Sequence, residues 1–455
     1  MEKITRRTVA CLFISLLLTL GVGLFVFRFF TDGGDWVSFA ANDHLYEDGV
    51  LRSGTVTDRQ GNLLAKAEYG GWTYSDDYTV RVATLHAVGD AEGRIGTGAV
   101  TAFADKLSGY NLITGSRTLF GGERRLYMTI DSELCARAYQ SMAGLKGCVG
   151  LYNYKNGETL CMVSAPSFDP YYPPDIETGD ASYDGIYINR LLSSDFIPGS
   201  TMKIVTCAAA YDTIDGILQR DFLCDGSVDF DGHKVTCPYE HGEMILQSAL
   251  TSSCNCVFGS LAVEMGPEVM ESYVKKCGLT DSYSIDGIKA RASTFDFDTE
   301  DGYLAWSGVG QGFDQVNPCA MMILCGAVAN GGRSAVPHLI SKVTTGEGLR
   351  VSLYYNHSTD RLLEPDTAAY LRQAMLDNVT YGYGDYYFPG LNVGAKTGTA
   401  QSDESSENNA WFVGFCADED HPYAFVVYLE GGGAGSGMAL DVASSLLSDA
   451  LELGY

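Results

Sequence analysis

Strand-forming sequence is concentrated at two places far apart in this 455-residue chain. GCVGLYNYKNGETLCMVSA at 147–165 is a pair of apolar runs around Asn156-Gly157, the strongest short hairpin signal. LNVGAKTGTAQ, AWFVGFCA and YAFVVYLE at 391–430 are strand candidates joined by short polar loops. Strands that pair must close on one another, so the sheet is discontinuous in sequence and the region between is an insertion into it. Helices flank both groups. Asp131 is placed to cap ELCARAYQSMAGL, and at the end of the chain Leu440, Ala443, Leu447, Ala450 and Leu451 form an apolar stripe. The expected fold class is α+β, an antiparallel sheet with helices over it and a mainly helical insertion, forming one domain over 126–455.

Upstream, Thr8–Phe27 gives twenty uncharged, mostly apolar residues, which as a helix match a hydrocarbon core of roughly 30 Å. Lys3, Arg6 and Arg7 precede the run, which places the N-terminus in the cytoplasm and the remainder outside. A signal peptide is the competing reading. This run is long, however, and ends in Phe27-Arg28-Phe29-Phe30 rather than at a small-residue cleavage site, so 1–30 is read as an uncleaved single-pass anchor. Residues 31–125 are polar, glycine-rich and strand-like in short pieces, with turn chemistry at Asp58–Asn62, and read as a small non-catalytic pedestal or partner module.

The net charge of −27 repels a phosphate backbone and argues against nucleic acid as a partner. Thirteen cysteines include no CxxC repeat, and Cys254-Asn255-Cys256 has no second pair at zinc spacing, so no metal is expected. Cys224 and Cys237 flank SVDFDGHKV, an alternating stretch turning at Asp231-Gly232. A hairpin there brings the two together, and a disulfide and two free thiols remain equal readings.

Three motifs carry chemistry. Pro198-Gly199 breaks the chain before Ser200-Thr201-Met202-Lys203, which opens a helix apolar almost all round. Ser200 lies in the first turn, and Lys203, three residues on, shares its face. Burial disfavours the ammonium, so a neutral Lys203 can take the serine proton. Ser253-Cys254-Asn255 lies in a polar break between apolar segments, where a hydroxyl and an amide can aim into one cleft. Lys396-Thr397-Gly398-Thr399 lies in a strand, with Lys396 and Gly398 on one face and Thr397 and Thr399 on the other. There Gly398 leaves room for a substrate backbone, and Lys396 and the threonine hydroxyls can bind a carboxylate. None of the seven histidines is an evident catalytic partner; His241 is the best placed and reads as structural.

In this order the motifs resemble the penicillin-recognising serine transferases, and most closely class B penicillin-binding proteins. PSFDP (166–170), NRLL (189–192), GVGQG (308–312), ANGG (329–332), AKTGTAQ (395–401) and the upstream RSGTVTDRQGNLLA are similar to family segments as well. The resemblance implies the penicillin-binding/serine β-lactamase-like transpeptidase fold. It makes Ser200 the nucleophile, Lys203 its base and Ser253 a proton relay. Asn255, Lys396, Thr397, Gly398 and Thr399 bind substrate, with the backbone N–H groups of Ser200 and Thr399 as oxyanion hole. It implies D-Ala-D-Ala stem peptides of peptidoglycan as substrates, β-lactams as covalent inhibitors, a membrane glycosyltransferase as partner, and no cofactor. The alternatives are a D,D-carboxypeptidase or a β-lactam-hydrolysing or sensing member of the fold, and then an inactive membrane-anchored scaffold. Against a class A β-lactamase, no deacylating glutamate motif follows Asn255; against the scaffold, every motif residue is intact.

Overall fold

The computed structural model describes residues 2–32, 46–47, 50–51, 54–68, 71–109, 124–176, 179–230, 232–297, 299–352, 356–401 and 408–455. Arg52, Ser53 and Asp231, named above, lie outside the described residues. The first helix, α1 (Glu2–Asp32), contains the expected apolar run. Arg7–Thr31 is the one helix among the described residues long and apolar enough to cross a membrane, with a mean hydropathy of 2.6.

Three strands follow, β1 (Thr55–Thr57), β2 (Leu63–Glu68) and β3 (Gly71–Tyr74), then β4 (Arg124–Met128) and helix α2 (Ser132–Ser141). Asp131 caps α2 as expected, its carboxylate accepting from the N–H groups of Glu133 and Leu134. The hairpin expected around Asn156-Gly157 is β5 (Gly147–Asn153) and β6 (Thr159–Ala165), with Gly157 at φ +85°. The insertion begins with α3 (Lys203–Thr213) and a small hairpin, β7 (Ser227–Phe230) and β8 (His233–Thr236). It continues through α4 (Leu246–Thr251), α5 (Asn255–Met265), α6 (Asp301–Val309) and α7 (Pro318–Ala329). After β9 (Ile340–Thr345) and α8 (Pro365–Asn378), the chain closes with β10 (Val393–Ala400), β11 (Asn409–Cys416), β12 (Tyr423–Leu429) and α9 (Leu440–Glu452).

The main sheet is antiparallel with order β10-β11-β12-β5-β6, joining the two distant strand groups as their sequence required. On one face Gly150 lies against Met322 of α7, and Trp411 donates its indole N–H to the Ile197 carbonyl at 2.9 Å. The neighbouring Phe412 points the other way and stacks on Phe388; α9 covers this face, Ser444 bonding the adjacent Tyr387 carbonyl. The side chains of α7 are buried nearly throughout, which explains its uninterrupted apolar sequence.

A second sheet has the order β9-β4-β1-β2-β3, with β1 and β4 parallel. It mixes strands from both sides of the boundary expected at 125/126, which runs through β4. The N-terminal strands thus share one sheet with β9, which follows the helical insertion.

Candidate active site

The Ser200 turn is narrower than an α-helix. Gly199–Met202 forms a 3₁₀ turn, and the α-helix proper starts at Lys203. Gly199 adopts φ +55° and packs so closely on β10 that a β-carbon there would sit 2.6 Å from the Thr399 carbonyl oxygen. Its N–H donates to the Gly310 carbonyl at 2.8 Å, and Gln311 donates to the Thr399 carbonyl at 3.0 Å. The GVGQG segment therefore braces the serine turn and β10 together.

Ser253 sits in the break between α4 and α5, as the sequence implied, whereas Asn255 is already the first residue of α5, with Cys254 as its cap. Ser253 takes φ +53°, uncommon for a residue with a side chain and costing about 1 kcal/mol. That conformation turns both its hydroxyl and its carbonyl toward Lys203.

The Lys203 amine meets four oxygens: Ser200 Oγ at 2.9 Å, Ser253 O at 2.7 Å, Ser253 Oγ at 3.1 Å and Asn255 Oδ1 at 2.7 Å. The Lys396 amine reaches the same Ser253 Oγ at 3.0 Å and the Thr397 carbonyl at 3.3 Å. Both lysines are fully buried, whereas Ser200, Ser253, Asn255, Thr397 and Thr399 are half-buried. Burial lowers the Lys203 ammonium to about 7, against the opposing pull of Cys237, Cys254 and Cys256. Burial, with the charge of Lys203 added, holds Lys396 well below the ordinary lysine range. In its neutral form Lys203 has two N–H donors, which the Ser253 carbonyl and Asn255 Oδ1 can accept. Its lone pair is then left for the Ser200 hydroxyl.

Lys396 and Gly398 share the face toward Ser200, as expected. Gly398 does not open a groove for substrate, however: a β-carbon there would lie 2.7 Å from the Pro198 carbonyl oxygen and 3.0 Å from the Thr201 methyl. The absence of a side chain admits the serine turn. Thr397 and Thr399 carry partners that sequence reasoning missed. Tyr383 OH accepts from the Thr397 N–H at 3.0 Å and lies 3.1 Å from Thr397 Oγ1, while the Gly435 N–H donates to Thr399 Oγ1 at 3.2 Å. Burial raises the Tyr383 phenol above its ordinary range and keeps it protonated, so it can donate to Thr397 Oγ1 while accepting from the Thr397 N–H. Both threonine O–H groups are then free to donate to an anion at the edge strand.

Asn255 also donates through Nδ2 to the Thr236 carbonyl at 2.7 Å, at the end of β8. The hairpin expected between Cys224 and Cys237 is present as β7–β8, with Ser227 opposite Thr236. The two sulfurs lie 3.8 Å apart as free thiols.

A half-buried serine against a buried lysine, a second serine joining two lysines and a hydroxyl-lined edge strand form one cleft-side cluster, the arrangement expected of the penicillin-recognising proteins. Comparison with known proteins agrees. The model of the penicillin binding protein transpeptidase domain matches residues 147–452, and the chain belongs to that family. The chain is similar to the peptidoglycan D,D-transpeptidase PbpA of Mycobacterium tuberculosis, 24% identical over 68% of this chain and 67% of that protein. It is 32% identical to the stage V sporulation protein D of Bacillus subtilis over 61% of this chain, spanning only 44% of that protein. Among solved structures it resembles the D,D-transpeptidase domain of a peptidoglycan glycosyltransferase from Eggerthella lenta, with a TM-score of 0.76 and 25% identity over 88% of this chain and 99% of the other. The fold is also that of penicillin-binding protein A from M. tuberculosis in a ceftriaxone acyl-enzyme complex, with a TM-score of 0.74 and 21% identity over 88% and 98% of the two chains.

Proposed function

We propose that the protein is a membrane-anchored D,D-transpeptidase that joins peptidoglycan stem peptides through a Ser200 acyl-enzyme and is trapped at that step by β-lactams. The observation that carries this reading is the 2.9 Å approach of a fully buried Lys203 amine to the Ser200 hydroxyl. Lys203 takes the hydroxyl proton as Oγ attacks the penultimate D-alanine carbonyl. The C–N bond then breaks, and the proton passes through Ser253 Oγ to the departing D-alanine amine. An amine of a second stem peptide attacks the ester and gives up a proton along the same path, restoring Ser200. The terminal carboxylate is met by the Thr397 and Thr399 O–H groups and the positive field of the lysine pair. Backbone N–H groups of Ser200 and Thr399 receive the oxyanion.

The apolar α1, with Lys3, Arg6 and Arg7 before its core, supports a cytoplasmic N-terminus and a catalytic domain outside the membrane. A membrane glycosyltransferase is the fitting partner, because this chemistry links stem peptides but extends no glycan.

The test is labelling with a fluorescent penicillin, followed by mass analysis of products from lipid-linked disaccharide pentapeptide. Wild type forms a stable covalent adduct and cross-linked dimers, and Ser200→Ala forms neither. Equal labelling of Ser200→Ala removes the nucleophile assignment; trimmed tetrapeptide without dimers makes the enzyme a carboxypeptidase.

A further inference from the structure

Beside the catalytic residues lies a cluster of soft metal ligands that the sequence spacing concealed. The short strand Phe222–Cys224 pairs with Gly242–Met244, with Cys224 opposite Gly242, so Cys224 lies beside His241. The β7–β8 hairpin returns the chain so that Cys237 comes back to Cys224. The break between α4 and α5 presents Cys254 to the same point. One ligand atom from each of Cys224, Cys237, His241 and Cys254 lies within 4.8 Å of all the others. Paired ligands at zinc spacing are absent along the chain, so the sequence predicts no metal; here the four ligands come from separate stretches of backbone.

The separations are those of a coordination shell. Cys224 Sγ and Cys237 Sγ are 3.8 Å apart, Cys237 and Cys254 are 3.7 Å apart, and Cys224 Sγ lies 3.3 Å from His241 Nδ1. A tetrahedral ion about 2.3 Å from sulfur and about 2.0 Å from nitrogen sets ligand edges of about 3.8 Å between sulfurs and roughly 3.5 Å between sulfur and nitrogen. A disulfide needs about 2.05 Å. Cys237 Sγ also receives the N–H groups of Asn255 at 3.2 Å and Cys256 at 3.5 Å, a donor-rich setting that suits a metal-bound thiolate. Among the described residues the one polar contact of the His241 ring is with Cys224, inside the cluster, and none of them partners its buried Nε2.

We propose that Cys224, Cys237, His241 and Cys254 bind a single zinc ion that fixes the Ser253–Asn255 segment of the active site. Three thiolates and one imidazole form a closed tetrahedral set of the structural-zinc type, with soft ligands that exclude magnesium and calcium. Cys254 stands between Ser253 and Asn255, and Cys237 follows Thr236, whose carbonyl holds the Asn255 amide. The ion therefore ties both sides of Asn255 to one point. It takes no part in the acyl transfer, and the inference does not depend on which acceptor completes that reaction.

The test uses the full chain purified in detergent. Elemental analysis after gel filtration gives about one zinc per chain. Removing the ion with a chelator and adding Co(II) gives a thiolate-to-cobalt charge-transfer band and intense tetrahedral d–d bands. Cys237→Ser and His241→Gln lose most of the bound zinc. Chelation slows penicillin acylation by about tenfold or more, and Zn(II) restores it. Wild-type protein that holds no zinc and gives no charge-transfer band with Co(II) overturns the site, whatever the variants do. A Cys224–Cys237 disulfide in an unreduced digest overturns it as well. Unchanged acylation after complete metal removal overturns the positioning role.

Discussion

Among single residues, the expense of burying two amines governs the chemistry. A lysine in water stays protonated at neutral pH and is a poor base; fully buried Lys203 releases its proton near 7. The proposed mechanism needs the neutral amine, so the rate of β-lactam acylation should be flat above about pH 8 and fall about tenfold per unit below about pH 6. A stopped-flow pH profile measures this, and a profile flat from pH 5 to 9 counts against Lys203 as base. Lys203→Arg keeps the charge but cannot give up its proton, so acylation should fall by about 10²–10⁴ with the fold intact by circular dichroism. Tyr383 makes a finer prediction. With its proton on Thr397 Oγ1 the threonine O–H is free for a substrate carboxylate, and on that arrangement Tyr383→Phe should weaken binding more than chemistry. The noncovalent dissociation constant for penicillin should rise about tenfold, while the acylation rate of the bound complex changes little. A change confined to that rate rejects the role.

Between elements, the contact that matters most is the serine turn pressed onto β10. Gly398 and Gly199 each allow backbone to approach backbone, and Trp411 ties the segment before the turn through the Ile197 carbonyl. Gly398→Ala should therefore destabilise the protein by about 1–3 kcal/mol and slow acylation at least tenfold, because the Pro198 carbonyl cannot yield without moving Ser200. Gly96→Ala, where a β-carbon meets nothing within 4 Å, is the control and should leave both quantities unchanged. Thermal melts and acylation rates of the two variants decide it. The motif residues and the strand alternation were readable in the sequence because residue type and period carry them: Ser200 with Lys203, the loop position of Ser253, the opposed faces of Lys396 and Thr397. The role of Gly398 was not, because a glycine records only that something comes close, not whether it is substrate or protein. Tyr383 was invisible for a similar reason. It sits on a short π-helical turn after α8, and only the fold brings that turn to Thr397.

Across the whole molecule, the second sheet makes the N-terminal strands and the catalytic domain interdependent. The main sheet was legible because hairpin signals and alternation mark its strands locally. The second sheet was not, since β9 finds β4 across the entire catalytic insertion and the parallel pairing of β1 with β4 leaves no turn signature. Its wiring has a thermodynamic consequence. Asp58 is fully buried in the turn after β1 and accepts from the N–H groups of Gln60 and Asn62, and it bonds the Ser132 hydroxyl at 2.6 Å at the start of α2. Arg59 adds a hydrogen bond to the Thr129 carbonyl and an ion pair with Glu158 on the rim of the main sheet. Two independent domains would unfold in separate steps, whereas a shared sheet pinned by a buried carboxylate should melt as one. Differential scanning calorimetry of the full chain should show a single transition, with the proposed β-lactam adduct raising all of it together. Asp58→Ala leaves the buried Ser132 hydroxyl without its acceptor and frees the N–H groups of the turn to water, a loss of about 1–3 kcal/mol. Because the sheet is common to both parts, the variant should lower that single transition rather than split it. An early, separate melting step in either protein would show that the N-terminal strands fold as an appendage and that the pairing of β9 with β4 adds nothing to the stability of the active site.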